Sequence, residues 1–350
     1  MSMGLSDNVR ATPPSPPAMP EIVAPGIWRI ALPVPFPPGS VNSYVLAGAG
    51  EWCLVDAGMG TPETNAALQA GLAVLGVTYA DISTLVLTHA HPDHIGAAAD
   101  IANAMATPHI TMLALEAANM AALWRMRSPA DLHAMQAMHA RAGLSPDEIA
   151  ASTQSLLRMV QRIAVPPAAA ITTTTDGAIL RLAGRDWQVI WTPGHADGHM
   201  CLCSDQILIA GDHILPTISP NVSFTATSRP DPIQDYLDGL ARLEALELAT
   251  PLVLPGHGAP FTRLHERSGE LRASCLRRSR ATMATLRTHG APMLARDVMV
   301  ALFARRLVNS TDRTMALGET LAHLEHLRRR GHITATDVGT QTYYREHTSA

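Results

Sequence analysis

An apolar run, Ile82-Ser83-Thr84-Leu85-Val86-Leu87, leads directly into Thr88-His89-Ala90-His91-Pro92-Asp93-His94, which sets three histidines and an aspartate within six positions. Imidazole nitrogen and carboxylate oxygen suit a borderline divalent ion such as Zn²⁺. A lone histidine is usually a packed or solvent-facing side chain. Four ligand-type residues in one turn, stiffened by Pro92 and opened for close approach by Gly96, are better explained by a metal. Such a cluster does not close two coordination spheres by itself, so further ligands should stand at other strand ends. Three do. Trp191-Thr192-Pro193-Gly194-His195, Ile207-Leu208-Ile209-Ala210-Gly211-Asp212 and Leu252-Val253-Leu254-Pro255-Gly256-His257 each run from an apolar strand through small or stiff residues to a ligand.

The rest of the chain reads as strands and helices that could bring those ends together. Residues 1–24 are proline-rich and read as a loose arm. Strand-like runs follow at Ile27–Leu32, Ser43–Leu46 and Trp52–Val55, then a helix over 62–76, a buried strand at Leu85–Leu87 and a helix from Ile95 to Met105. Residues 112–164 carry Met112, Met120, Met126, Met135, Met138 and Met159 at helical spacing, with breakers only at Pro129, Gly143 and Pro146, and read as a helical insertion. Methionine at that spacing is mostly core packing, the alternative being a soft apolar wall around a substrate. Strands return at Ala178–Leu182, Trp187–Trp191, Met200–Cys203 and Gln206–Ala210, and a helix over 232–247 precedes Leu252–Leu254. This order implies two sheets covered by helices.

A long Arg-rich helix over 263–288, within a linker spanning 263–292, leads to a last unit at 293–350: helices near 294–306 and 313–330, then a hairpin, His332–Thr336 and Thr340–Arg345. Helices followed by a small hairpin read as winged-helix-like. Charge divides at the same place. Residues 1–260 carry 11 Arg against 22 acids, whereas 261–350 carry 15 Arg against 8. The basic part suits an anion, but Arg328-Arg329-Arg330 at a helix end also favours the helix dipole, and a structural, dimerising or pocket-lining role is preferred to DNA binding.

Composition excludes several classes. At 350 residues with 47% apolar and 16% charged residues, the chain should fold, as one large domain plus an appendage. Having no lysine, it has neither a Schiff base nor a phosphate-binding-loop lysine. No stretch approaches the ~18 apolar residues needed to span a bilayer, and no secretory start is visible, so a cytoplasmic location without a membrane partner is expected. Cys53, Cys201, Cys203 and Cys275 are too scattered for a disulfide framework, and Cys201 with Cys203 reads as core rather than as a soft metal pair.

The ligand pattern resembles the metallo-β-lactamase-fold hydrolases, and more closely their glyoxalase II-like and lactamase-B2-like branch. The family signature His-x-His-x-Asp-His stands as His89, His91, Asp93 and His94, and the later ligands as His195, Asp212 and His257. The resemblance covers roughly residues 25–262 and implies an α/β fold, a four-layer αβ/βα sandwich with a dinuclear site at one sheet edge. Residues 293–346 resemble the small winged-helix-like domain attached to lactamase-B2-like members. By position, His89, His91 and His195 hold the first ion, Asp93, His94 and His257 the second, and Asp212 bridges them. Asp56, in Val55-Asp56-Ala57-Gly58, matches the aspartate that supports the site from behind; Asp93 and Asp56 are the candidate catalytic residues. The cofactors implied are two divalent ions, Zn²⁺ first, with Fe or Mn acceptable to the same ligands.

The expected chemistry is hydrolysis: a metal-bridging hydroxide, available near pH ~7, attacks an ester-like carbonyl. A thioester of acyl-CoA or glutathione type, or a lactone, is the preferred small-molecule substrate, with the Met-rich helices as a lid and C-terminal arginines as a cradle for an anionic group. The alternative is a phosphodiesterase or endoribonuclease, disfavoured by the acidic larger part and by 4% aromatic residues, a poor stacking surface for nucleic acid. A β-lactamase and a DNA-binding regulator rank lower, and a homodimer is compatible with the sequence. His199 is expected to pack beneath the site, His213 either to support it or to start the next loop, and Asn221 and Ser223 to belong to an ordinary polar loop.

Overall fold

A computed structural model describes residues 19–125, 132–303 and 307–347. Its first sheet has seven strands in sequence order: β1 (Glu21–Ala24), β2 (Ile27–Pro33), β3 (Ser40–Gly48), β4 (Glu51–Val55), β5 (Ile82–Val86), β6 (Ile110–Leu113) and β7 (Ile171–Thr174). Strands β1 to β4 pair antiparallel, and β4 to β7 pair parallel. The second sheet has five: β8 (Ile179–Leu182), β9 (Arg185–Trp191), β10 (Met200–Ser204), β11 (Ile207–Gly211) and β12 (Leu252–Pro255), arranged β12-β11-β10-β9-β8.

Side-chain alternation explains the layering. In β3, Val41 and Val45 enter one core while Tyr44 and Leu46 enter another, so the strand is apolar on both faces and must be covered twice. Helices α1 (Pro62–Val74), α2 (Pro92–Ile95) and α3 (Ala98–Ala104) follow β4 and β5, and Leu68, Leu72, Ile95 and Ile101 cover the outer face. On the inner face Tyr44, Val55 and Val86 meet Trp187, Val189, Leu202 and Leu254 of the second sheet. That sheet's other face, with Cys201, Leu208 and Val253, packs on Tyr236, Leu240 and Leu271. The expected αβ/βα sandwich is therefore present. Cys201 and Cys203 both belong to this outer core as free thiols.

Between β6 and β7 of the first sheet the chain forms α4 (Ala114–Arg125), α5 (His133–Arg141) and α6 (Pro146–Gln161). The covering helices of the second sheet are α7 (Pro232–Glu244) and the start of α8 (Leu264–His289), whose far end supplies Leu286 to a fourth core. Beyond it lie β13 (Met293–Leu294), α9 (Ala295–Phe303), α10 (Ser310–Arg329), β14 (Ile333–Val338) and β15 (Gln341–Glu346), with the strands ordered β13-β15-β14. Met138, Ala142 and Leu144 join the same core, and Arg296 donates its backbone N–H to the Ala142 carbonyl at 2.9 Å. The insertion thus shares its core with the C-terminal unit.

Several expected boundaries are corrected. Glu21–Ala24 is not arm but strand β1, turned at Gly26 and tied to β2 by an ion pair of 2.6 Å between Glu21 and Arg29; residues 1–18 lie outside the described residues. The insertion does not begin at 112. Met112 and Leu113 are in β6, inserted between β5 and β7, and helix starts only at Ala114; Met126 and Pro129 lie outside the described residues. Strand β7, the threonine-rich edge Ile171–Thr174, was not expected, because its half-exposed residues lack an apolar period. The helix expected over Ile95–Met105 is α3, which starts only at Ala98; a separate short helix, α2, begins at Pro92, a residue preorganised for the first helical position, so Asp93 and His94 sit in a helical turn. Helix α10 starts before 313 because Asn309 caps it, accepting the Asp312 N–H at 2.9 Å; residues 304–306, the end of the helix expected near 294–306, lie outside the described residues. Among the described residues no helix is long and apolar enough to cross a membrane.

Candidate metal centre

Topology brings the ligand-bearing ends together. Strands β9 and β11 both run antiparallel to β10, and β12 runs parallel to β11, so all three end on the same edge of the second sheet. His195, Asp212 and His257 follow those ends. The end of β5 is held against them by the Met200 N–H, which donates to the Thr88 carbonyl at 3.0 Å across the sandwich. The start of β3 does the same for the His257 loop: the Asn42 amide donates to the Pro255 and Gly258 carbonyls, each at 2.8 Å, and the Tyr44 hydroxyl to Pro255 at 2.7 Å.

All seven expected ligands meet at this edge. His89, His91 and His195 form one group of convergent donor atoms, Asp93, His94 and His257 a second, and His89, His94 and Asp212 a third that joins them. Within the first, His91 Nδ1 lies 3.0 Å from His89 Nε2 and 2.8 Å from His195 Nε2. Within the second, His257 Nε2 is 3.2 Å from Asp93 Oδ2, and His94 Nε2 is 3.9 Å from the same oxygen. Asp212 lies between them, with Oδ1 3.4 Å from His94 and Oδ2 3.5 Å from His195 and 3.3 Å from His257. Gly256 permits this: a Cβ there would stand 2.1 Å from Asp212 Oδ1.

The outward ring nitrogens are spoken for, which fixes the inward ones. Nδ1 of His94 faces Asp56 Oδ2 at 2.8 Å, that of His195 the Asn221 carbonyl at 2.7 Å, that of His257 the Ser40 carbonyl at 2.6 Å, and that of His89 the Thr88 hydroxyl at 3.0 Å. In each, a proton on Nδ1 leaves the Nε2 lone pair facing the other donors. His94 Nε2 and Asp212 Oδ1 are buried without a hydrogen-bond partner among the described residues. Buried polar atoms of that kind call for a partner, and a divalent cation supplies one to both. These His/Asp groups are compatible with divalent metal binding.

Electrostatics agree with the donor geometry. Burial pushes His89 well below its ordinary value and His91 down to about 3, so both present neutral imidazoles. Burial also lowers His94 and His257, but carboxylates outweigh it: Asp212, Asp56 and Asp93 hold His94 well above its ordinary value, and hydrogen bonds to Asp212 and Asp93 raise His257 to about 10. In the protein alone, protons on these rings balance the carboxylates that a cation would otherwise neutralise.

The neighbouring polar residues sort themselves by their partners. His199 is fully buried beneath the site; its Nε2 accepts the Asp212 N–H at 3.0 Å and its Nδ1 faces the Thr192 hydroxyl at 2.8 Å. It supports the Asp212 backbone, as expected of a residue packed below. His213 is buried between the Tyr236 ring, 5.0 Å between centroids, and the His199 ring at 5.8 Å. Asn221 offers its carbonyl to His195, and Ser223 donates to its side chain, so this loop orients a ligand. Three contributors were missed: Asn42, Tyr44 and the buried Glu116. Their signals were a polar pair in an otherwise apolar strand and an isolated acid in an apolar helix.

Residues 36–257 match the family described as the metallo-beta-lactamase superfamily. The chain belongs to that superfamily. Residues 281–346 match a second family, the metallo-beta-lactamase-like C-terminal domain. Among superfamily relatives, a probable metallo-hydrolase, YqjP, from Bacillus subtilis is 29% identical over 91% of this chain and 97% of its own length. A metallo-beta-lactamase family protein from Thermus thermophilus has a crystal structure with a TM-score of 0.81, 32% identity, and coverage of 93% of this chain and 100% of its own. An Aspergillus fumigatus protein named atrochrysone carboxyl ACP thioesterase is 23% identical over 65% of this chain and 53% of its length. As a superfamily member this chain is a metallo-hydrolase.

Proposed function

We propose that the protein is a dinuclear metal-dependent hydrolase of small ester-like carbonyl compounds, a thioester or lactone above all. The observation that carries this reading is Asp212, whose two oxygens face different histidines, Oδ1 toward His94 and Oδ2 toward His195 and His257. That is the disposition of a carboxylate shared between two ions. On this reading His89, His91 and His195 hold one ion and Asp93, His94 and His257 the other, with Zn²⁺ the first choice for so histidine-rich a set.

A bound pair of divalent ions supplies a water acidic enough to ionise near neutral pH and polarises the oxygen of the scissile group. The chain's own residues do the rest. Burial raises the Asp93 carboxyl, but His94 and His257 outweigh it and keep it below its ordinary value, so Asp93 stays ionised and can take a proton and return it to the leaving atom. Asp56 does not reach the convergence of donors; it holds His94 from behind and is a positioning residue. The carbonyls of Asn221 and Ser40 do the same for His195 and His257.

For the bond cleaved, the thioesterase-named relative supports an acyl substrate. The phosphodiesterase reading drew on the basic C-terminal part, yet several of its arginines are engaged: Arg328 and Arg329 with Glu325 at 2.7 and 2.8 Å, Arg287 with Glu346 at 2.6 Å, Arg278 with Glu319 at 3.1 Å. The test is hydrolysis of an acyl-CoA thioester, a lactone and a bis-aryl phosphodiester by the wild type and His91→Ala. Thioester or lactone turnover abolished in the variant supports the proposal; strong phosphodiester turnover with neither of the others overturns the substrate class.

A further inference from the structure

Glu116 lies in the first turn of α4 and is 2% exposed. It is not among the convergent donor groups, yet it touches two of the loops that deliver ligands. Its Oε1 accepts the backbone N–H of Ala90 at 2.7 Å, and Ala90 is the residue between His89 and His91. Its Oε2 accepts the N–H of Gly198 at 2.9 Å, in the turn between His195 and His199, and the Asn119 amide at 3.2 Å. The turn is fitted to the carboxylate: a Cβ on Gly198 would come within 2.8 Å of Oε2 and 2.6 Å of the Glu116 nitrogen.

A buried carboxylate is costly unless its hydrogen bonds are complete, so its presence asks for a reason. Two N–H donors on separate loops, plus one amide, need acceptors on both oxygens. A glutamine offers only one, and would point an NH₂ at the other N–H. Only the carboxylate closes both bonds at once. We propose that Glu116 is a positioning residue that locks the His89–His91 turn and the His195 loop into one frame, and so sets the affinity of the His89, His91, His195 site for its ion. This rests on the proposed metal reading, and it gives the insertion helix a role in building the site rather than only in covering it.

The experiment compares wild type with Glu116→Gln, which keeps shape and burial, in competition titrations of Zn²⁺ against a chromophoric chelator and in Co²⁺ absorption spectra. We expect the affinity of one of two bound ions to fall ~10–100-fold, the usual range for an outer-shell partner, with the other held within about threefold and an altered Co²⁺ ligand-field band. Thermal unfolding separates this from general loosening, and kcat should fall more than KM rises. Unchanged affinities and an unchanged Co²⁺ spectrum would overturn the role of Glu116. If Glu116→Gln does not fold, Asn119→Ala, which removes only the third hydrogen bond, should weaken the same ion several-fold, and no change there overturns the proposal equally. A wild-type protein that binds no divalent ion would instead overturn the metal reading beneath it.

Discussion

Asp56 accepts from His94 on one oxygen and from the Thr88 backbone on the other, both at 2.8 Å, so the ring and the turn that carries it are fixed by a single carboxylate. To do so it adopts a left-handed backbone, φ 61°, which costs a non-glycine residue of order ~1 kcal/mol. The geometry predicts that Asp56→Asn, which keeps the shape but weakens the hold on His94, lowers divalent-ion affinity ~10–100-fold. Chelator competition measures it, and unchanged affinity would show that Asp56 does not orient His94.

The C-terminal unit reaches the site through a loop. Phe224 donates its N–H to Gly318 of α10 at 2.9 Å, three residues after the Asn221 carbonyl that holds His195. A Cβ at Gly318 would stand 2.9 Å from that of Ser223. Gly318→Val should therefore displace the loop and cut kcat/KM by ~10-fold or more while circular dichroism stays native. Full activity would separate the C-terminal unit from the chemistry.

How much of this was legible follows from where each signal is local. The ligands stood out because each ends an apolar strand, and the double alternation of β3, β5 and β11 marks strands buried on both faces. Strands β1 and β7 did not stand out. One is four residues beside a proline run, and the other is a half-polar edge, so pairing rather than composition makes them strands. Glu116 and Asn42 carried a local signal but not its meaning. Their meaning lies in backbone groups 26 and 213 residues away, and only the fold brings those near.

Two buried histidines outside the site set an acid limit on stability. Burial, with Arg278 and His326 nearby, holds His323 down to about 3 from an ordinary 6.5, and burial lowers His139 as well. Both bind protons more readily unfolded, so stability is lost as pH falls below 6.5, for His323 down to about pH 3 and at up to ~1.4 kcal/mol per unit. Urea midpoints at pH 7 and pH 5 should fall further for wild type than for His323→Gln. Equal losses would contradict the account.

Trp187 is fully buried between the sheets, with its indole nitrogen lacking a hydrogen-bond partner among the described residues. Trp187→Ala should cost ~3–5 kcal/mol by opening a cavity there, and Trp187→Phe clearly less, since no hydrogen bond is lost. Denaturant titration decides it; equal costs would mean the indole N–H matters more than the volume.

The most direct test of the centre is metal content after extensive dialysis against metal-free buffer. The account predicts two divalent ions per chain in the wild type and about one in His257→Ala, which leaves the His89, His91, His195 group whole. A wild type that is active with a single ion, or a His257→Ala protein that keeps two, would contradict a site shared through Asp212.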